Sequence, residues 1–291
     1  MFGEVIVGVD GRPNSRDAVE LARQLLAQDG RMTLVNVHHD LRFAGQKFAS
    51  AERERSIELL TRERDAAELD AEIVAVAASS VGAGLHRVAE QRDAELLVVG
   101  SCSRGPLGRL LLGDDRRASL DGATCAVAVA PSHYARGLRP FARIGVAYDG
   151  SPESVRALEL ARQVAAQHHS AISALTVVSI PSYSYGTVAA IDWNSVVELR
   201  MSEAREEFAG LADVDGRVVR GIPAEELARW SAGVDLLVVG SRGYGPLRRV
   251  AFGSTSEHLA RTTSCPLIVL RRGVEEHAVA PAIEAAVGAT G

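Results

Sequence analysis

The chain repeats itself at long range. The stretch VGVDGRPNSRDAVELARQ (Val7–Gln24) returns as VAYDGSPESVRALELARQ (Val146–Gln163). AELLVVGS (Ala94–Ser101) returns as VDLLVVGS (Val234–Ser241), and TCAVAVAP (Thr124–Pro131) as SCPLIVLR (Ser264–Arg271). From Val7 to Val146 is a step of 139 positions and from Thr124 to Ser264 a step of 140, so the order of elements is copied with the residues. A period this long marks a duplicated domain; solenoid units run to about 20–50 residues. Two domains in 291 residues also suit the usual ~100–200 residues each. The expected spans are 1–134 and 141–273. They join in HYARGLRP (His133–Pro140), where Gly137 and Pro140 break regular structure. The Ala-rich remainder, 274–291, is expected to be a flexible tail or a loosely docked helix.

Within each half, short β-branched runs alternate with helical patterns, which predicts βαβ units and a parallel sheet. In the second half the expected strands are Arg143–Tyr148, Ile172–Val178, Arg217–Val219, Leu236–Val239 and Leu267–Leu270. They are apolar throughout more than alternating, as strands covered on both faces are. Ser151-Pro152-Glu153 opens a helix, with serine as N-cap and proline at the first helical position. Val197, Met201, Ala204, Phe208 and Leu211 form a helical stripe read as core.

Composition narrows the function classes. With 47% apolar and 24% charged residues the chain can build two cores. A net charge of −5 supplies no basic arm for phosphate contacts, so no nucleic-acid partner is expected. No apolar run approaches the ~18 residues of a membrane span, so no membrane partner is expected either. The first residues lack a basic segment followed by an apolar one and a cleavage site. Three cysteines without C-x-x-C spacing suit a reducing compartment and offer no zinc or disulfide framework. Cytoplasmic localisation is the expectation. Cys125 and Cys265 read as small buried residues, and His38-His39 and His168-His169 as surface or loop histidines.

In a doubly wound sheet, ligands bind beyond the carboxyl ends of the strands, at the switch point. The first strand of each half ends at Asp10 or Asp149, and the second at Val37-His38 or Val178-Ser179. The fourth runs straight into GSCSRGPLGRLLLGD (Gly100–Asp114) or GSRGYGPLRRVAFGS (Gly240–Ser254). Gly240, Gly243 and Gly245 let backbone N–H groups approach an anion closely. Gly253, Ser254, Thr255 and Ser256 add hydroxyls and amides at a helix start, which suits phosphate. Pro246 stands where a P-loop carries lysine, so this is not a Walker loop. The alternative is that the glycines only make tight strand-to-helix turns.

With those residues quoted, the chain resembles the universal stress protein family in its tandem form. The resemblance runs through both halves to about Arg272. Its most specific element, G-x2-G-x9-G-[ST], is met in full by Gly240, Gly243, Gly253 and Ser254; Asp149 and Ser264-Cys265-Pro266 also match. It implies two tandem open five-stranded parallel α/β sandwiches, Rossmann-like, each with strand order 3-2-1-4-5. They would pack as an intramolecular pseudo-dimer through their last strands. It also implies ATP, with or without Mg, as the ligand. Ala147, Tyr148 and Asp149 would then flank adenosine, and Val178 adenine. Gly240, Gly243, Gly253, Ser254 and Ser256 would hold the phosphates. Placement alone adds two candidates. Arg249 could pair with phosphate or be a solvated helix-start arginine. Asp192, beside Trp193, could close over the base or be an N-cap.

The first half keeps Gly8, Asp10, Val37, Gly100, Gly105 and Gly113, but Ser103 replaces the second glycine and Asp114 the terminal serine. Keeping a serine in a left-handed conformation costs about 1–2 kcal/mol. A carboxylate ~4 Å from a phosphate is repelled by roughly 4 kcal/mol at an effective dielectric near 20, or about a thousandfold in affinity. A competent second site and a weak or altered first site are expected. The leading function is a nucleotide-dependent regulator of stress or dormancy acting through an unknown protein partner, with further homodimerisation open. No general base is apparent, so at most a slow ATPase is expected. The alternatives are an ATP hydrolase or adenylating enzyme of the adenine-nucleotide α-hydrolase-like group, and a scaffold that binds no nucleotide.

Overall fold

The computed structural model describes residues 1–39, 46–101, 123–179, 193–241 and 253–270. In the first half, β1 (Phe2–Gly8), α1 (Pro13–Leu25), β2 (Leu26–His39), α2 (Gln46–Ala66) and β3 (Glu72–Ala78) come first. They are followed by α3 (Val81–Gln91), β4 (Leu96–Gly100) and β5 (Ala126–Ala130). The second half begins with β6 (Arg143–Ala147), α4 (Pro152–His168), β7 (Ala171–Val178), α5 (Trp193–Ala209) and β8 (Val214–Arg220). It continues with α6 (Pro223–Trp230), β9 (Leu236–Gly240), α7 (Ser254–Thr262) and β10 (Leu267–Leu270). The strands form one ten-stranded sheet, ordered β3-β2-β1-β4-β5-β10-β9-β6-β7-β8. Each half therefore has the order 3-2-1-4-5, with every pairing inside a half parallel.

The halves meet at an antiparallel pairing of β5 with β10. Leu267 lies opposite Val129, Ile268 opposite Ala128 and Val269 opposite Val127. The repeat maps Val127 onto Leu267 and Val129 onto Val269, so a pseudo-twofold axis passes between Ala128 and Ile268. These six residues are buried and apolar. Each large one contributes about 1.5–3 kcal/mol by leaving water.

Both faces of the sheet are covered, which explains the unbroken apolar runs. On one face α1, α2, α4 and α5 supply Leu21, Leu60, Leu158 and Phe208 to a shared core. On the other, α3, α6 and α7 supply Leu85, Leu227 and Leu259. The Ser151 hydroxyl caps α4 by accepting Ser154 N, as expected. Val197 and Phe208 are buried with Met201 and Ala204 half-buried, so the α5 stripe is core. The helix ends at Ala209, so Leu211 packs from the turn beyond it. The expected strand Arg217–Val219 is longer, Val214–Arg220: Asp215 and Gly216 join by pairing with Ser173 and Ala174 of β7, although neither residue favours strands.

The connection between the halves is ordered by contacts that the repeat does not announce. Tyr134–Gly137 forms a 3-10 turn, and the buried Asp17 of α1 accepts His133 N and Ala135 N at 2.9 Å each. The Tyr134 hydroxyl donates to Gln24 Oε1 at 3.0 Å. His168, read as a surface or loop histidine, instead crosses the junction. Its Nε2 lies 3.0 Å from Gln24 O, and its ring stands edge-on to Phe141 with centroids 5.0 Å apart. The tail 274–291 lies outside the described residues.

Candidate functional site

Both halves leave the first strand through the same turn. Gly150, at φ 75°, and Gly11, at φ 74°, occupy the left-handed region that an Asp-Gly strand-to-helix turn needs. Asp149 is exposed, and its Oδ1 accepts Ser151 N at 3.1 Å and the Ser151 hydroxyl at 2.5 Å. Asp10 Oδ1 accepts Arg12 N at 3.1 Å and the Ser15 hydroxyl at 2.9 Å. The first turn also brings the Arg12 guanidinium 3.8 Å from the Asp10 carboxylate, where the second half has uncharged Ser151.

Neighbouring residues divide between open positions and packing. Ala147 is half-buried and faces the α6–α7 side. Val178 is half-buried at the end of β7, its carbonyl accepting Gly221 N at 3.0 Å. Val37, half-buried, lies against Gly84, whose hypothetical Cβ would come within 2.6 Å of Val37 Cγ1. Tyr148 is turned inward. Its ring packs on Phe208 at 5.5 Å and its hydroxyl donates to Glu207 Oε1 at 3.1 Å. Its N–H donates to Leu175 O and its carbonyl accepts the Thr176 hydroxyl. Burial and then the Glu207 carboxylate push its pKa up.

The glycines that open the two loops have a packing duty of their own. A Cβ on Gly240 would sit 2.7–2.9 Å from Glu153 atoms in the first turn of α4, and one on Gly100 would sit 2.0 Å from Asn14 O. Gly8 has more room, its nearest neighbour being Leu85 Cδ1 at 3.3 Å. β6 and β9 lie side by side, so Asp149 and Gly240 end adjacent strands at the switch point of the second half. Gly253 is the N-cap of α7, and the first helical bond runs from Glu257 N to Gly253 O at 3.0 Å. The amides of Ser254, Thr255 and Ser256 thus precede the ladder. Ser254 is exposed, Thr255 half-buried and Ser256 buried. Asp192, Gly243, Gly245, Arg249, Gly105, Gly113, Ser103, Asp114 and Cys102 lie outside the described residues.

The serines after the two glycines differ in their bonding. Ser101 Oγ and Ser132 Oγ share a 3.0 Å hydrogen bond. Ser241 Oγ is buried and has no hydrogen-bond partner among the described residues. Cys125 and Cys265 are buried, and burial pushes the Cys265 thiol up to about 12, which makes it an inert packing group. Among the described residues no group of three or more His, Cys, Asp or Glu side chains could hold a metal ion. No helix among them is long and apolar enough to cross a membrane.

Sequence reasoning passed over Asp17. Its one signal is a charge exchange, since Asp17 aligns with Arg156 within a closely copied stretch.

Two doubly wound α/β domains, fused through their last strands and each with an Asp-Gly turn after the first strand and a glycine at the end of the fourth, define a tandem Rossmann-like protein. The profile of the universal stress protein family matches residues 1–131 and again 140–271, and the chain belongs to that family. A universal stress protein of Mycobacterium tuberculosis is 35% identical over 191 residues, covering 62% of this chain and 63% of that protein, a little under two thirds of its length. A second from the same organism is 26% identical over 307 aligned residues, covering 92% of this chain and 94% of that protein. A universal stress protein crystal structure from Archaeoglobus fulgidus superposes with a TM-score of 0.67 at 20% identity, covering 93% of this chain and 99% of that one. At that identity the likeness is one of fold.

Proposed function

We propose that the protein is an ATP-binding regulator whose second half holds the nucleotide and whose first half binds it weakly or not at all. The observation that carries this is the start of α7. Three consecutive amides, two hydroxyls that are not deeply buried and a glycine N-cap stand at the helix's positive end, and they complete the G-x2-G-x9-G-[ST] pattern. Gly243 and the Gly253–Ser256 segment would hold phosphate, with Gly245 and Arg249 beside them. Ala147, Asp149 and Val178 would border the nucleoside, and Asp192 would stand over it. Tyr148 would act by fixing the turn, since its side chain, N–H and carbonyl are engaged internally. Gly240 would serve both the α4 contact and the loop.

The asymmetry gains a second cause. Besides Ser103 and Asp114, the first half brings Arg12 beside Asp10, which draws that carboxylate toward a cation of the protein's own. ATP binding would set the surface read by a protein partner, and any hydrolysis would be slow. A nucleotide-free scaffold is the second reading, favoured by the packing that already requires glycine at 100 and 240.

Mass spectrometry of nucleotide retained through purification, followed by calorimetric titration with ATP, tests the proposal. One strong site is expected, lost in the Gly243→Val plus Ser254→Glu variant. Retention of ATP by that variant refutes the site, and equal strong occupancy of both halves refutes the asymmetry.

A further inference from the structure

A cavity of about 730 Å³ opens at the seam of the two halves, between the start of β5 and the end of β10. Phe2, Glu95 and Cys125 line it from the first half, Arg156 and Leu270 from the second. The pseudo-twofold exchanges these with Phe141, Asp235, Cys265, Asp17 and Ala130. That second place is filled. Tyr134 is half-buried there, close enough to Asp235 and Cys265 for both to act on its phenol, and the residues beside it bond to Asp17. The residues that leave β5 therefore occupy the recess on one side of the axis, and the same recess on the other side adjoins the residues that leave β10.

We propose that the segment after Leu270, Arg271–His277 (RRGVEEH), docks in this cavity as the twofold counterpart of the connection, with Val274 in the place of Tyr134. Four observations support it. The segment follows directly on Leu270, which itself lines the cavity. His133 holds the left-handed φ of 68° that turns the connection back, and the residue aligned with it is Gly273, the residue best suited to that conformation. The charges are complementary: Glu90, Asp93 and Glu95 border the cavity and Arg271-Arg272 open the segment. Arg156, which pairs with Glu153 at 3.2 Å, lines the cavity, and its counterpart Asp17 bonds Ala135, the residue aligned with Glu275. Where Asp17 receives backbone N–H groups, Arg156 would take the Glu275 carboxylate beside the Glu153 one it already holds. Finally, Ser132, the partner of Ser101, aligns with Arg272, whose guanidinium would donate to Ser241 Oγ, buried and without a partner among the described residues. The docked segment clasps the end of β10 to the first half without bearing on whether ATP binds.

Cross-linking in the full chain tests this. With Cys102→Ser as background, Val274→Cys is expected to form an intramolecular disulfide with native Cys125 under mild oxidation by oxidised glutathione, mapped by peptide mass spectrometry. Ala286→Cys, further along the tail, is expected to cross-link at least tenfold less. Equal cross-linking at both positions, none at Val274→Cys, or a product of twice the chain mass that shows a second copy's tail in the recess, each overturns the proposal. Hydrogen exchange on the unaltered chain provides an independent reading. Amides of 273–277 are expected to exchange at least about tenfold more slowly than free chain, with the protection reduced by Arg156→Glu. Free-chain exchange at 273–277 overturns docking whatever the variants do.

Discussion

Asp17 accepts the backbone N–H of His133 at 2.9 Å, and so fixes a residue of the connection to the first turns of α1. The same carboxylate takes Ala135 N, also at 2.9 Å, so one buried side chain holds two amides of the connection. Hydrogen bonds to a charged group are worth ~1.5–3 kcal/mol. Asp17→Ala is expected to lower stability by roughly 3 kcal/mol in urea denaturation, and Asp17→Asn by less. A loss below about 0.5 kcal/mol would remove the connection from the forces that hold the halves together.

Gly240→Ala and Gly100→Ala should destabilise the chain before any ligand is added. The added methyl meets backbone atoms of α4 or α1, which cannot rotate away. Overpacking of this kind costs about 1–3 kcal/mol, and Gly100→Ala, with the closer contact, should cost more. Thermal denaturation of ligand-free protein checks both.

The seam gives a third expectation. Ile268 is fully buried opposite Ala128 on the axis. Ile268→Ala should cost about 2–5 kcal/mol, the range for large-to-small core changes. Urea denaturation is the measurement, and a cost near zero would mean that the seam is loosely packed.

Stability should fall in alkali. The Cys265 thiol is raised from 9.0 to about 12, and Tyr134 and Tyr148 are raised from 10.0, so the native state holds protons that the unfolded chain releases. The contribution of Cys265 is fully present below pH 9 and is lost between pH 9 and about 12. Denaturation midpoints are expected to be flat to pH 9 and then to decline. Cys265→Ala should flatten the first part of the decline, because the tyrosines begin later.

If Arg12, Ser103 and Asp114 together suppress the first half, then Arg12→Ser, Ser103→Gly and Asp114→Ser combined should raise ATP stoichiometry from one toward two. Calorimetric titration reads this directly. An unchanged stoichiometry would move the cause of the asymmetry elsewhere.

The duplication, the parallel βαβ plan and the burial of Cys125 and Cys265 were legible because apolar runs and aligned repeats carry them in the chain itself. Val214–Arg220 was legible only in part, because Asp215 and Gly216 are held in the strand by pairing with β7. The inward turn of Tyr148 was not legible. A tyrosine beside an aspartate at a strand end gives no sign in the sequence of the Glu207 and Phe208 that lie beneath it. The roles of Asp17, Gln24 and His168 arise from residues more than a hundred positions apart, and no local pattern encodes such a meeting.

β10 is bonded on one side to β9 and on the other to β5. Two separate copies joined in this way would come apart on dilution. Here the partner is tethered by the short connection between Ala130 and Arg143, and a short tether presents it at an effective concentration in the millimolar range. The pairing is therefore as complete in a dilute cell extract as in a concentrated one, and a single backbone cut in the connection would make it depend on protein concentration.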